Sequence, residues 1–325
     1  MPFRKENRFI GTLLGCAVGD AVGFAFQWRY PRRGVSKAVL EEFEYESPYG
    51  YPPGQFTDDT QMTLAIAEAI VRDGDVTGEG IAREFIRLWE GGVVDRGISC
   101  DDAVGALMRG VDWMHSGTEP GRAGNGTAMR ASPIGLWDYD DIGKLVRDSE
   151  IQSIITHADK RCAVGAMLVA AAVAYNIRND APGGAEFPGL LRPLCNREGG
   201  ADYARYFDIM GKLLQMPEAD AVRTIAKAGQ ERTFDRSYIT PFVVPTVLIS
   251  IYAFLKNPDD FLEALAVVYR ARGDIDTTGA ITGAISGSRV GAAGIPEHLS
   301  RPVAGYERVV GLAGQLFKLN VGDSR

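Results

Sequence analysis

The chain has 325 residues but only three histidines and four cysteines, and each shortage excludes a kind of chemistry. Cys16, Cys100, Cys162 and Cys195 lie far apart, with no C-x-x-C pair and no Cys/His ligand spacing, so a thiolate zinc site is excluded. Two disulfides are arithmetically open, yet in a chain this long the four read as buried thiols. His115, His157 and His298 are too few for a multi-histidine zinc centre. Any metal here would be held by oxygen, which favours Mg, Mn or Ca. Basic charge is also short: 35 Lys and Arg against 42 Asp and Glu give −7, which argues against a nucleic-acid or anionic-membrane binder. The N-terminal segment imitates a lipoprotein signal, with Arg4, Lys5 and Arg8 before Leu13-Leu14-Gly15-Cys16. Glu6 and Asn7 interrupt it, and the apolar run before Cys16 is far below the ~20 residues that span a bilayer. A cytoplasmic protein with no membrane contact is expected.

What is present points to a helical globule. Hydrophobic residues make up 46% and charged residues 24%, enough to build a sizeable core. Alternating strand patterns are scarce; Val39–Tyr45 is the best candidate, as a short hairpin arm. Residues 8–26 carry Gly11, Gly15, Gly19 and Gly23 at four-residue spacing, on one helix face that a neighbouring backbone could approach. Further helices are predicted at 60–73, 79–90, 101–115, 161–177, 202–214, 218–229, 241–255, 259–270, 278–290 and 303–318, several opening on Asp, Thr or Pro and closing near Gly. Two Pro/Gly-rich connections interrupt them, at 28–56 and 180–200. The first is long enough to be functional rather than idle packing. No composition break or internal repeat divides the chain. The expectation is all-α, one large helical domain over residues 1–325, with a monomer as the expected state.

Three clusters could carry chemistry. Thr57-Asp58-Asp59-Thr60 ends the first connection and opens a helix; Asp58 could be an N-cap with Gln61 closing a capping box. Asp274-Ile275-Asp276-Thr277 also opens an apolar helix, where Asp276 or Thr277 could be a cap. Capping does not explain the duplication. Each cluster sets two carboxylates and a threonine at a helix start, and crowded carboxylates repel unless protonated or bridged by a cation. Four carboxylates with threonine oxygens suit hard divalent ions, and could hold two of them ~3.5–4 Å apart. The third cluster, Gly124-Asn125-Gly126-Thr127-Ala128-Met129-Arg130, reads as a turn before a helix or as a backbone cradle for hydroxyls or phosphate. His157 fits a core histidine as well as a polar site group.

Taken together, these residues resemble the ADP-ribosylglycohydrolase family. The resemblance runs in order through Gly15-Cys16-Ala17-Val18-Gly19-Asp20-Ala21-Val22-Gly23, Thr57-Asp58-Asp59-Thr60, Gly124–Arg130 with Thr156-His157, and Gly273-Asp274-Ile275-Asp276-Thr277, covering roughly residues 9–296. It implies an all-helical fold with a two-metal cleft, usually Mg or Mn. Thr57, Asp58, Asp59, Asp274, Asp276 and Thr277 would hold the ions. Asn125, Gly126, Met129 and His157 would line the ADP-ribose cleft, with Asp95 a weaker match nearby. Asp58 or Asp59 would take a proton from the water that attacks ribose C1″. The diphosphate would need N–H donors or an arginine, for which Gly124–Gly126 and Arg130 are candidates, with a structural role for Arg130 equally open.

One departure from the family pattern stands out. Gln27 occupies the neighbourhood where many members carry a glutamate, and an amide cannot act as a base near neutral pH. Glu41, Glu42 or Glu44 on the long connection could fill the gap. The resemblance thus implies a metal-dependent hydrolase releasing ADP-ribose from a modified protein, arginine linkage first. The alternatives are hydrolysis of a small ADP-ribosyl or N-ribosyl metabolite, and a silent ADP-ribose-binding relative.

Overall fold

The computed structural model describes residues 2–180, 186–230 and 237–322, and among them there is no strand. Sixteen helices follow one another: α1 Pro2–Trp28, α2 Lys37–Glu41, α3 Asp58–Asp73, α4 Gly78–Gly91, α5 Ile98–Met108, α6 Ser132–Trp137, α7 Ile142–Ile154, α8 Lys160–Arg178, α9 Glu186–Leu191, α10 Ala201–Gln215, α11 Glu218–Ile225, α12 Val243–Lys256, α13 Phe261–Ala271, α14 Ile275–Val290, α15 Glu297–Ser300 and α16 Tyr306–Gly322. Their starts follow the expected chemistry: Thr57, Thr77, Asp141, Asp159 and Asp260 each turn a side-chain oxygen onto a backbone N–H of the first turn. α3 ends on Gly74 at φ +75°, a left-handed C-cap.

The glycine face of α1 decides the architecture. α1 runs antiparallel to α14, and the two backbones touch at every turn. A Cβ on Gly15 would lie 2.2 Å from the Gly283 carbonyl oxygen, one on Gly19 2.0 Å from that of Gly279, and one on Gly11 2.4 Å from that of Gly287. Only glycine on both helices allows this approach. The pairing brings the C-terminal half of α1, with Asp20, alongside the first turn of α14, with Asp276. Around this pair a large apolar core draws on α3, α8, α12, α13 and α16.

Several expectations needed correction. Val39–Tyr45 is not a strand: Lys37–Glu41 is helix α2, capped by Ser36. α5 starts earlier and stops at Met108, ahead of Gly110 at φ +86°. α6 follows the Gly124–Arg130 turn, where a helix was one reading, but α7 was not foreseen. α7 buries Leu145 together with Asp148, Ser149, Gln152 and Ser153 while leaving Ile142 exposed, so its inward face is mostly polar and gives no clear apolar period. In the 180–200 connection, residues 181–185 lie outside the described residues, and α9 and a 3-10 turn at Arg192–Cys195 fill the rest. The long connection 28–56 holds α2 and one 3-10 turn at Pro48–Gly50.

All four cysteines are free and buried. The apolar stretch at the N-terminus is longer than the sequence suggests. Within α1, Arg4–Trp28 is long and apolar enough to cross a membrane by length and composition, as is Lys160–Arg178. Of the two segments, 94% and 83% are buried inside the fold, which accounts for their apolarity as core.

Candidate active site

Backbone geometry builds the site before any side chain does. Four chain segments cross near the N-termini of α3 and α14, joined by isolated bridges. Thr118 pairs with His157, Gly124 with Phe242 and Ile239 with Gly273. The Asn125 N–H donates to Pro241 O at 3.1 Å, and the Asp274 N–H to Ile239 O at 3.0 Å. Gly273, at φ +87°, could not carry a side chain here, since a Cβ would sit 1.8 Å from Ile239 O. These clamps fix where Asn125, His157 and Asp274 stand.

The first acidic cluster is held by a residue not singled out from sequence, Asp20. It is fully buried, and its two oxygens accept from the Thr57 N–H (3.0 Å), the Thr60 N–H (3.0 Å) and the Thr60 hydroxyl (2.6 Å). Thr57 Oγ1 lies 3.0 Å from Asp20 Oδ1 and 2.9 Å from Asp59 Oδ2. The cap of α3 is therefore Thr57, not Asp58. Gln61 closes no capping box; its Oε1 accepts from the Val94 N–H at 2.9 Å and pins the 94–97 loop. That loop returns the Gly97 N–H to Asp58 Oδ2 at 3.1 Å.

At α14, Asp274 occupies the cap position without capping; its Oδ2 instead accepts from Asn125 Nδ2 at 2.6 Å. Thr277 Oγ1 donates to Asp59 Oδ2 at 3.3 Å, joining clusters 218 residues apart. The two helix starts face one cavity of about 360 Å³, a size suited to a small ligand. Asp58, Asp59, Asp95, Asn125, Gly126, Met129, His157, Asp274, Asp276 and Thr277 all line it, together with Arg96, Ile98 and Cys100. Asp95 does so from a left-handed backbone, φ +55°, unusual for a side chain with a Cβ.

Thr57 lies buried behind the lining, and Gln27 does not line the cavity. Glu41, Glu42 and Glu44 are not in it either; Glu42 and Glu44 line a separate surface cleft with Trp28 and Phe43. Arg130, a candidate for the diphosphate, is completely buried and bonds to Gln152 and Thr156, so it cannot reach a ligand.

The electrostatics are those of crowded, dehydrated carboxyls. Burial pushes Asp58 up to about 8, only partly opposed by the Gly97 N–H, with Asp20, Asp95 and Asp274 adding repulsion. Burial followed by the Asp20 and Asp276 charges raises Asp59 well above the carboxylate range. Asp276 is raised by burial and then by Asp274, and Asp274 by burial against the Asn125 bond. Asp20 reaches about 6, burial winning over its donors. His157 moves the other way, down to about 3, because burial and then Arg130 disfavour its cation.

The whole chain, residues 1–325, matches the family model described as ADP-ribosylglycohydrolase. This chain belongs to the ADP-ribosylglycohydrolase family. It is 30% identical to an uncharacterised protein of Archaeoglobus fulgidus, over 97% of this chain and 98% of that one. It is 27% identical to an ADP-ribosylarginine hydrolase of Serratia proteamaculans, over 94% of this chain and 78% of the relative. A solved ADP-ribosylglycohydrolase-related protein complex shares the fold, with TM-score 0.71 and 22% identity, over 98% of this chain and 99% of the other. The chain is accordingly an enzyme of the glycohydrolase type, and the all-helical fold implied by the motifs is the fold observed.

Asp20 was within reach of the sequence. A carboxylate in the middle of a glycine-faced, apolar helix needs several donors to be buried, and the Thr57–Thr60 run offers threonine hydroxyls and helix-start N–H groups.

Proposed function

We propose that this glycohydrolase releases ADP-ribose from an arginine side chain of a modified protein, working with two divalent ions, Mg or Mn. The observation that carries the reading is the meeting of Asp58, Asp59, Asp274 and Asp276 on one cavity, with Asn125 and His157 beside them. The relative named as an ADP-ribosylarginine hydrolase supports the arginine linkage.

The donor chemistry fits the ions. Every candidate ligand is an oxygen, and Asp59 Oδ1 is buried with no hydrogen-bond partner, which is costly for a protein group left to itself. Among the described residues, no three Asp, Glu, His or Cys side chains are already closed around one point. Thr57, Asp58 and Asp59 on one side and Asp274, Asp276 and Thr277 on the other would hold the ions. Bound there, divalent ions supply positive charge that keeps the carboxyls ionised, and Lewis acidity toward ribose hydroxyls and water.

The protein's own groups would do the rest. Asp58 or Asp59 accepts a proton from water as its oxygen bonds to C1″; the C1″–N bond breaks, and the guanidine nitrogen leaves with the electron pair and takes a proton. Asn125 is held by Asp274 and Thr246 and so keeps a fixed orientation toward the sugar.

The test is release of free ADP-ribose from an arginine-ADP-ribosylated protein, with Mg or Mn and with chelator. Chelator-sensitive release is expected. Release only from a small ADP-ribosyl compound, or binding without turnover, would overturn the protein-arginine assignment.

A further inference from the structure

Arg130 is a cation buried without an ion pair among the described residues, stacked 4.6 Å over the Phe85 ring. A charge so placed is expensive unless its N–H groups are used. Its Nε donates to Gln152 Oε1 at 2.9 Å, and its Nη2 donates both to Gln152 O at 2.8 Å and to Thr156 Oγ1 at 2.7 Å. Thr156 Oγ1 in turn lies 2.9 Å from His157 Nδ1.

A guanidinium can only donate, so Thr156 receives from Arg130 and has one proton of its own to place. Among the described residues the only other hydrogen-bond partner of that hydroxyl is His157 Nδ1, and if Nδ1 donated, the buried hydroxyl proton would have no acceptor. Nδ1 must then be the acceptor, and the ring proton stands on Nε2. The Nε2–Cε1 edge faces the turn that lines the cavity: a Cβ on Gly124 would lie 3.1 Å from Nε2, and one on Gly126 3.0 Å from Cε1. The ring is buried, and Nε2 has no protein partner among the described residues although His157 lines the cavity.

We propose that Arg130 is a positioning residue that, through Thr156, holds His157 as its neutral Nε2–H tautomer and so presents a fixed hydrogen-bond donor to an acceptor oxygen of the bound nucleotide. The tautomer assignment stands on the bonds alone; the identity of the ligand rests on the function proposed above. Arg130 thereby serves the cleft without touching its contents. Burial and the charges of Arg130 and Arg122 keep the ring neutral against the single opposing charge of Asp159.

The test is long-range 1H–15N correlation of the three histidine rings, with His157 assigned from a His157→Gln variant. The wild type is expected to show a bare Nδ1 and a protonated Nε2. Thr156→Ser keeps that pattern. Thr156→Val, which leaves Arg130 bonded to Gln152, moves His157 toward an averaged pattern, and ADP-ribose binding by calorimetry weakens about twofold as the competent fraction falls. A wild-type ring protonated on Nδ1 or on both nitrogens overturns the proposal, as does a Thr156→Val spectrum identical to wild type. If wild type binds no ADP-ribose, the function proposed above and the ligand assignment both fail, while the spectra still decide the relay.

Discussion

Replacing Gly283 by alanine tests how the fold places the site. Its new Cβ would lie 2.0 Å from Gly15 O and 2.8 Å from Gly15 C. An ordinary carbon–oxygen contact needs about 3.3 Å, so α1 and α14 must part by roughly 1.3 Å. Both neighbours are backbone, and neither can rotate away. Overpacking of this kind costs about 3 kcal/mol, from which the helix preference of alanine over glycine returns about 1 kcal/mol. The expected net loss is about 2 kcal/mol. At roughly 0.7 kcal/mol per kelvin of unfolding entropy for this chain length, Tm falls by about 3 °C. The same displacement separates Asp20 on α1 from Asp276 on α14, and a 1 Å misplacement in a catalytic constellation costs about a hundredfold in rate. Gly211→Ala is the control: it lies in α10 with nothing within 4 Å of its Cβ, so it should gain about 1 kcal/mol and leave activity alone. Calorimetric melting and ADP-ribose release on both variants decide the matter. A Gly283→Ala protein as stable and active as Gly211→Ala would refute the argument that backbone contact between these helices sets the site.

Three further outcomes follow from the same geometry. Asp276→Asn replaces a buried ionisable carboxyl in the crowded cluster by a neutral amide, so without divalent ions its Tm should equal or exceed wild type. The roughly 4 °C that wild type gains at a hundred times the dissociation constant of Mn or Mg should vanish with it, as should turnover; wild-type melting indifferent to both ions would contradict the metal assignment. Asp20→Asn turns an N–H₂ toward donors from Thr57 and Thr60, which costs about 1–3 kcal/mol per opposed group and loosens Asp59; an unchanged urea midpoint would remove Asp20 from its role. Away from the site, burial and then the Asp148 charge push Asp138 up to about 8, against Lys144. A carboxyl raised in the folded state gives its full support below its unfolded value near 3.9 and loses it as pH climbs toward 8. Asp138→Asn should therefore stabilise at pH 8 and have little effect at pH 4; equal effects at both would reject the burial argument.

How far the sequence could be read depended on whether a residue's partners sit close by or far away in the chain. The paired Asp–Asp–Thr clusters were legible because duplication within four residues is a local pattern, and the structure places both on one cavity. The glycine ladder of α1 was legible as a contact face, but its partner Gly279–Gly283–Gly287 on α14 was not, because small residues mark a close approach without naming what approaches. α7 was missed because four of its five buried residues are Asp148, Ser149, Gln152 and Ser153, beside Leu145, so the periodicity that announces a helix is written mostly in polar letters. Gln152 also explains Arg130. Read alone, that arginine beside Gly124–Gly126 suggests a phosphate ligand; with α7 in place it is a buried cation satisfied by Gln152 and Thr156. The missed helix and the open choice at Arg130 share one cause. A polar residue is assigned to solvent or ligand by default, and only a three-dimensional neighbour reveals that it is spent inside the protein. The same logic run in reverse locates function: among the described cavity-lining residues, Asp59 Oδ1 and His157 Nε2 are left without a protein partner, and those are the atoms that a ligand must satisfy.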